Sequence, residues 1–280
     1  MKTPRLLAIH DICSFGRCSL TAAIPTLSAL GIQVCPFPTA LFSNNLTYGE
    51  YDFYDFSPHM KGFMDKWEKL QYTYDAIYSG FLANAEQIAI VEDAISRFAT
   101  KDTLVVVDPA MADDGQLYPV FTPDIVSAMR RLIGKATVIT PNYTELCLLL
   151  DVPYNEAIPS TKTLMEYCQT IAQMGPEKII ITSVPCNEDE IKNVSFDAST
   201  QSYDECKTAR VPLSTCGTGD LFTSVLTGML LRGLSLHDSI DKTTRFMTDC
   251  IQTTYFARTD PREGIQVEQC LPKLLDFKHL

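Results

Sequence analysis

The sequence predicts an α/β protein: a doubly wound, mostly parallel sheet with helices on both faces and a small flap, in a single domain over residues 1–280. Two observations carry the prediction. Short runs of β-branched and aliphatic residues recur at 5–9 (RLLAI), 76–79 (AIYS), 104–107 (LVVV), 137–140 (TVIT) and 178–182 (KIIIT). They are apolar without alternation, as strands covered on both faces are. A helical pattern follows most of them, and that alternation places helices on both sides of one sheet.

Each element has its own signal. After Gly16 a helix presents Leu20, Ala23, Ile24, Leu27 and Leu30 and ends at Gly31, with Pro25 expected to kink it. The stretch 37–51, FPTALFSNNLTYGEY, is aromatic and turn-rich and reads as the flap. Asn84 caps a helix whose inward stripe is Ile88, Val91, Ile95 and Phe98. Thr122-Pro123 opens another, carrying Ile125, Ala128, Met129 and Leu132 and stopping at Gly134. Residues 186–211 read as strands joined by polar turns on one edge. Two late helices, 219–232 and 236–257, precede a C-terminal segment at 263–277.

Composition narrows the function classes. With 280 residues and 46% hydrophobics the chain can bury one large α/β core. A formal charge of -11 argues against a nucleic-acid partner, so any anion must be held locally, by backbone amides or a metal. The ten cysteines include no C-x-x-C pair and several sit in apolar runs, which suits reduced thiols rather than a zinc site. The apolar run Leu6–Ile9 stops at His10-Asp11, too soon for a secretory signal, and no stretch approaches transmembrane length. The expectation is a cytoplasmic protein without membrane or nucleic-acid partners.

In a doubly wound sheet ligands bind beyond the carboxyl ends of the strands, which directs attention to His10-Asp11, 79–81, Asp108-Pro109, 140–142 and Thr182-Ser183. The strongest local signal lies later, at 216–220, CGTGD. Small residues there let backbone N–H groups approach an anion, and a helix start adds its positive dipole end. No G-x-x-x-x-G-K-[ST] is present, and G-x-G does not follow the first strand, so neither a P-loop nor a dinucleotide fingerprint applies. A carboxylate beside a bound anion is repelled unless it serves the attacking group; Asp220 fits as a base for a substrate hydroxyl. The plainer alternative is a turn of two glycines with Asp220 in a first helical turn. Other carboxylates have plain alternatives too: Asn142 and Glu145 form an N-x-x-E capping box, Asp108 precedes Pro109 at a strand end, and Asp113-Asp114-Gly115 suits an exposed turn. His10 reads as a hydrogen-bonded structural residue without chemistry.

Six stretches, in order and spacing, resemble the ribokinase-like superfamily, closest to the pyridoxal and pyridoxamine kinases: 8–20 (AIHDICSFGRCSL), 41–49 (LFSNNLTYG), 78–87 (YSGFLANAEQ), 106–115 (VVDPAMADDG), 139–146 (ITPNYTEL) and 216–222 (CGTGDLF). The resemblance implies a kinase that transfers phosphate from ATP to the hydroxymethyl group of pyridoxal, pyridoxamine or pyridoxine. It implies Asp220 as the base, with Gly217, Thr218 and Gly219 as the anion hole. It places Asp108, Asp113 and Glu145 toward magnesium and the nucleotide phosphates, and Thr140, Asn142 and Ser183 near the nucleotide. Asp11, Thr47 and Phe81 fall at substrate positions, where many pyridoxal kinases carry a small hydroxyl residue for Asp11, a threonine for Leu46 and a tyrosine for Phe81. A monovalent cation and a homodimer are implied by the same likeness. The alternatives are a hydroxymethylpyrimidine kinase, a branch that often has cysteine where Asp220 stands, and a non-catalytic vitamer-binding protein of the same fold.

Overall fold

The computed structural model describes residues 2–275 and 277. Of the expected domain, residues 1, 276 and 278–280 lie outside the described residues, and 276 belongs to the expected C-terminal segment. The chain runs β1 (Arg5–Cys13), α1 (Ser19–Ala29), β2 (Gln33–Phe42), β3 (Phe53–Asp55), α2 (Ser57–Lys69), β4 (Ala76–Ser79), α3 (Ala85–Phe98) and β5 (Leu104–Val107). It continues through the small hairpin β6 (Ala112–Asp113) and β7 (Gln116–Leu117), then α4 (Asp124–Ile133), β8 (Val138–Ile139), α5 (Tyr143–Leu150), α6 (Thr161–Ala172) and β9 (Lys178–Val184). The remainder is β10 (Glu190–Asp197), β11 (Ser202–Ala209), α7 (Thr218–Leu231), α8 (Leu236–Ala257) and α9 (Leu271–Leu274).

The main sheet has the order β11-β10-β9-β8-β5-β4-β1-β2-β3. The strands from β2 through β9 in that order pair in parallel, and the antiparallel strands β3 and β10–β11 finish the two edges. The pleat explains the continuous apolar runs. On β1, Leu7 and Ile9 enter the core under α2–α6, while Leu6 and Ala8 enter the core under α1 and α7–α9. On β5, Val105 and Val107 face the first core and Val106 the second; on β9, Ile180 faces opposite to Ile179 and Ile181. One-residue alternation thus buries every side chain of such a strand.

Two expectations change in detail and a third holds. The expected flap at 37–51 begins as strand: Phe37–Phe42 is the end of β2, paired with β1, and only the turns beyond it and β3 are flap-like. Pro36 and Pro38 disguise the strand. They are tolerated because β3 pairs only with Ala40–Phe42, leaving that half of β2 an edge where a missing N–H costs nothing. The run 137–140 forms strand only at Val138–Ile139. Asp113-Asp114-Gly115 is a turn as read, with Asp114 and Gly115 both at positive φ (47° and 77°) in the two-residue connection of the β6–β7 hairpin.

The chain leaves β1 for β2 on one side and returns past β1 to β4 on the other, so the connections diverge between β1 and β4 and open a crevice at the carboxyl ends of the strands. The segment after α8 straps this end. The amide of Arg17 donates to the Glu263 carbonyl at 3.0 Å, that of Ile265 to the Cys216 carbonyl at 3.3 Å, and Asn45 Nδ2 to the Arg262 carbonyl at 2.7 Å. Residues far apart in sequence are thereby held at one rim. Among the described residues no helix is long and apolar enough to cross a membrane.

Candidate active site

A cleft of about 390 Å³ lies at that rim. Its walls come from the ends of β1, β5, β8 and β9 and the start of α7, and they include Asp11, Phe81, Asp108, Asp113, Thr140, Asn142, Glu145, Ser183 and the whole run 214–220. Of the residues to which the resemblance gave a role, Thr47 is not on the cleft wall. Its amide and its hydroxyl both donate to Asn45 Oδ1, so it shapes the turn that brings Asn45 and Leu46 to the wall.

The start of α7 is built by one glycine. Gly217 sits at φ 80°, and a Cβ there would lie 1.9 Å from the Arg17 carbonyl oxygen, so no other residue fits without moving the α1 approach. With a glycine at the cap, no side chain satisfies the first amides of α7, and the cleft receives them together with the helix's positive end. Asp220 follows in the first turn. Its Oδ2 accepts from the Ser19 amide at 2.7 Å, so the beginnings of α1 and α7 grip one carboxylate. Ser19 was missed in sequence reading: it stands at φ 50°, a conformation normally left to glycine, and its role exists only when the two helices meet.

Asp11 is buried. It accepts a 2.6 Å bond from Ser19 Oγ and a 3.3 Å bond from Cys13 Sγ, and it does not cap the Ser14–Gly16 turn. Burial pushes its carboxyl above the usual range and the Asp220 charge adds to this, with the Ser19 hydroxyl opposing. A cationic ligand beside it would relieve that desolvation.

At the other end, Asp108 and Glu145 are buried carboxylates of different kinds. Among the described residues Asp108 Oδ2 accepts from Thr223 Oγ1 alone, at 3.3 Å, and Thr223 is bonded in turn to Thr140 at 2.8 Å. Burial raises the Asp108 carboxyl strongly, and the Glu145 and Asp220 charges reinforce it. Glu145 Oε2 accepts from the Asn142 amide at 2.8 Å, and its Oε1 accepts from Met111 and Ala112 at 3.0 and 3.4 Å. Asn142 Oδ1 returns the bond to the Glu145 amide at 2.9 Å, completing the capping box. Burial lifts Glu145 to about 7 against the lowering by these backbone donors. Asp113 stands at the mouth, raised by desolvation and the neighbouring Asp114. Among the described residues no three His, Cys, Asp or Glu side chains converge as a preformed metal cage. A magnesium ion needs only one or two carboxylates beside phosphate oxygens and water, and Asp108, buried with a single hydroxyl donor, suits it. Ser183 lies on the cleft wall at φ 54° and donates its amide to Asn193 Oδ1 at 3.4 Å.

His10 differs from its sequence reading. It is fully buried, yet neither ring nitrogen has a hydrogen-bond partner among the described residues.

Comparison with known proteins shows the family and the fold. A model of the phosphomethylpyrimidine kinase family matches residues 14–262. The chain belongs to that family. Such membership makes it a kinase-type phosphotransferase. A pyridoxal kinase of Corynebacterium diphtheriae is 27% identical over 274 residues, covering 94% of this chain and 93% of the relative. A Bacteroides thetaiotaomicron protein described as a phosphomethylpyrimidine kinase, in an orthorhombic crystal form with pyridoxal, is 41% identical with a TM-score of 0.94, covering 98% of this chain and 96% of its own. The pyridoxal kinase of Lactobacillus plantarum superimposes with a TM-score of 0.90 at 28% identity, over 99% of both chains. The ribokinase-like architecture expected from the six motifs is the one these proteins share.

Proposed function

We propose that this family member transfers the γ-phosphoryl group of ATP to the hydroxymethyl oxygen of pyridoxal, pyridoxamine or pyridoxine, giving the 5′-phosphate. The observation that carries the reading is Asp220 on the cleft wall, gripped by the Ser19 amide beside the unfilled amides of α7. Asp220 takes the hydroxymethyl proton, the oxygen attacks the γ-phosphorus, and the bond to ADP breaks. Gly217, Thr218 and Gly219 receive the moving charge on their backbone amides; transfer of this kind depends on positioning and charge neutralisation more than on a strong base. Asp108, with Glu145 and Asp113 on the same cleft, would hold magnesium, which when bound neutralises phosphate charge; a monovalent cation enters by resemblance alone. Thr140, Asn142 and Ser183 line the nucleotide side, and Asp11 and Phe81 the acceptor side.

A second reading, a hydroxymethylpyrimidine kinase, is favoured by the description of the matched family. Asp220 speaks for the vitamers, since that branch often has cysteine there. Coupled ADP release over the three vitamers, hydroxymethylpyrimidine and ribose, with magnesium ATP, tests both. Turnover on a vitamer is expected. Faster turnover on hydroxymethylpyrimidine replaces the first reading with the second, and tight vitamer binding without ADP release makes the protein a binder. A cytoplasmic homodimer completes the proposal by resemblance.

A further inference from the structure

His10 occupies a position whose chemistry is unspent. It continues the face of β1 that carries Leu6 and Ala8, toward the helices of α1 and α7. The register of β1 against β2 shifts between His10 and Ile12, and such a bulge re-aims successive side chains. The result is that Asp11 reaches the cleft wall while His10 lies just behind it. There its Nδ1 is 3.8 Å from Asp220 Oδ1, and its ring meets the Tyr78 ring edge-on at 4.3 Å. The Tyr78 hydroxyl in turn approaches the Asp220 carbonyl at 3.4 Å. Gly80 makes room: a Cβ there would lie 2.4 Å from His10 Nδ1, so the strand end after β4 is shaped around this ring.

A buried imidazole with both nitrogens unpartnered is costly, because buried polar groups are nearly always paired. The carboxylate it faces is held at one oxygen only: Ser19 bonds Oδ2, and Oδ1 has His10 as its nearest ring donor. In catalytic sites hydrogen bonds are often long before the substrate is seated and tighten in the complex.

We propose that His10 is a positioning residue for Asp220: in the substrate complex its Nδ1–H donates to Oδ1, so that Ser19 and His10 together fix both oxygens of the base. The ring acts through the carboxylate and does not touch the substrate. The inference rests on Asp220 being the base, and the test separates the two ideas.

His10→Phe keeps the ring and removes both nitrogens, whereas His10→Asn places an amide nitrogen close to where Nδ1 stood. With magnesium ATP and pyridoxal, the Phe variant is expected to lose about ten- to a hundredfold in kcat, the scale of lost supporting bonds, with both KM values within about twofold. The Asn variant should recover most of that loss. Gly80→Ala, which drives a methyl into Nδ1, should reproduce the defect with His10 intact. The decisive comparison repeats His10→Phe in an Asp220→Asn background, where the added effect should vanish. An unchanged kcat in His10→Phe, or an equal loss in both backgrounds, overturns the positioning role and leaves His10 as packing. If Asp220→Asn alone turns over at the wild-type rate, the assignment of the base fails instead.

Discussion

Glu145 and Asp220 are both acidic residues in the first turn of a helix that opens onto the same cleft, and the molecule uses them in opposite ways. Glu145 begins α5 after Asn142, whose side chain caps the helix, and its carboxylate folds back onto the Asn142, Met111 and Ala112 amides. Three backbone donors take most of its roughly four acceptor sites and hold loops together. Asp220 begins α7 after Gly217, which has no side chain to cap with, and its carboxylate is gripped from a different helix through Ser19. The first amides of α7 therefore have no side-chain cap, and Asp220 Oδ1 accepts no hydrogen bond among the described residues. The difference lies in the residue before the helix, asparagine or glycine, rather than in the acid.

The largest effect that can break this comparison is at Asp220. Asp220→Asn preserves shape and the acceptor for Ser19 but cannot take a proton, and turnover should fall by about two to four orders of magnitude while ATP binding persists. Initial rates together with nucleotide titration measure this. Turnover within a fewfold of wild type would place Asp220 beside Glu145 as a structural acid.

The next effect separates the two buried acids Asp108 and Glu145. Asp108→Ala removes a carboxylate with one hydroxyl donor, and the magnesium needed for half-maximal ATP use should rise about ten- to a hundredfold. Glu145→Ala instead leaves three backbone amides without their acceptor, so it should cost about 1–3 kcal/mol of stability with a smaller magnesium shift. Thermal melts beside magnesium titrations discriminate; equal magnesium shifts would make Glu145 a ligand of the same rank.

How much of this was legible follows from the range of the interactions involved. The central strands were readable because their burial on both faces is written into consecutive residues such as 104–107. The Asn142–Glu145 box and the Asn84 cap were readable because both partners lie within four residues. β2 was hidden by Pro36 and Pro38, whose tolerance depends on how far β3 reaches along its edge. Ser19 and His10 were hidden for a different reason. Each lies about two hundred positions from Asp220 in sequence, and only the folded meeting of β1, α1 and α7 brings them beside it. Thr47 shows the converse: local likeness put it at the substrate, while its bonds go to Asn45.

Asp11 stands between the two types of acid. Both its oxygens are engaged, like those of Glu145, but by the Ser19 hydroxyl and Cys13 thiol, side chains that can turn away. A carboxylate with burial working against its charge gains from a protonated pyridine nitrogen or an amine, and a charge-assisted bond is worth about 1.5–3 kcal/mol. Asp11→Ser should therefore raise the vitamer KM about tenfold or more and leave that for ATP alone, with pyridoxamine or pyridoxine used at least as well as pyridoxal by the wild type. Steady-state kinetics on all three vitamers check it, and an unmoved vitamer KM puts Asp11 with Glu145.

The smallest effect concerns the proton on Glu145. Burial pushes its carboxyl up to about 7 from the ordinary 4.5 by disfavouring the charge. Between those values the folded chain holds a proton that the unfolded chain has released. Stability from this group is thus complete below about pH 4.5 and is lost as pH rises through 7. Asp108 is raised too and pulls the same way, so the informative quantity is a difference between proteins. In Glu145→Gln the side chain stays neutral at every pH; its one oxygen serves only one side of the cradle, a loss that does not vary with pH and cancels across the window. Urea unfolding of metal-free protein from pH 4.5 to 7.5 should show wild type losing, relative to Glu145→Gln, on the order of 1–3 kcal/mol across the window. Parallel curves would mean that the three backbone donors keep Glu145 ionised throughout, making its cradle strong enough to offset burial and sharpening its contrast with Asp220.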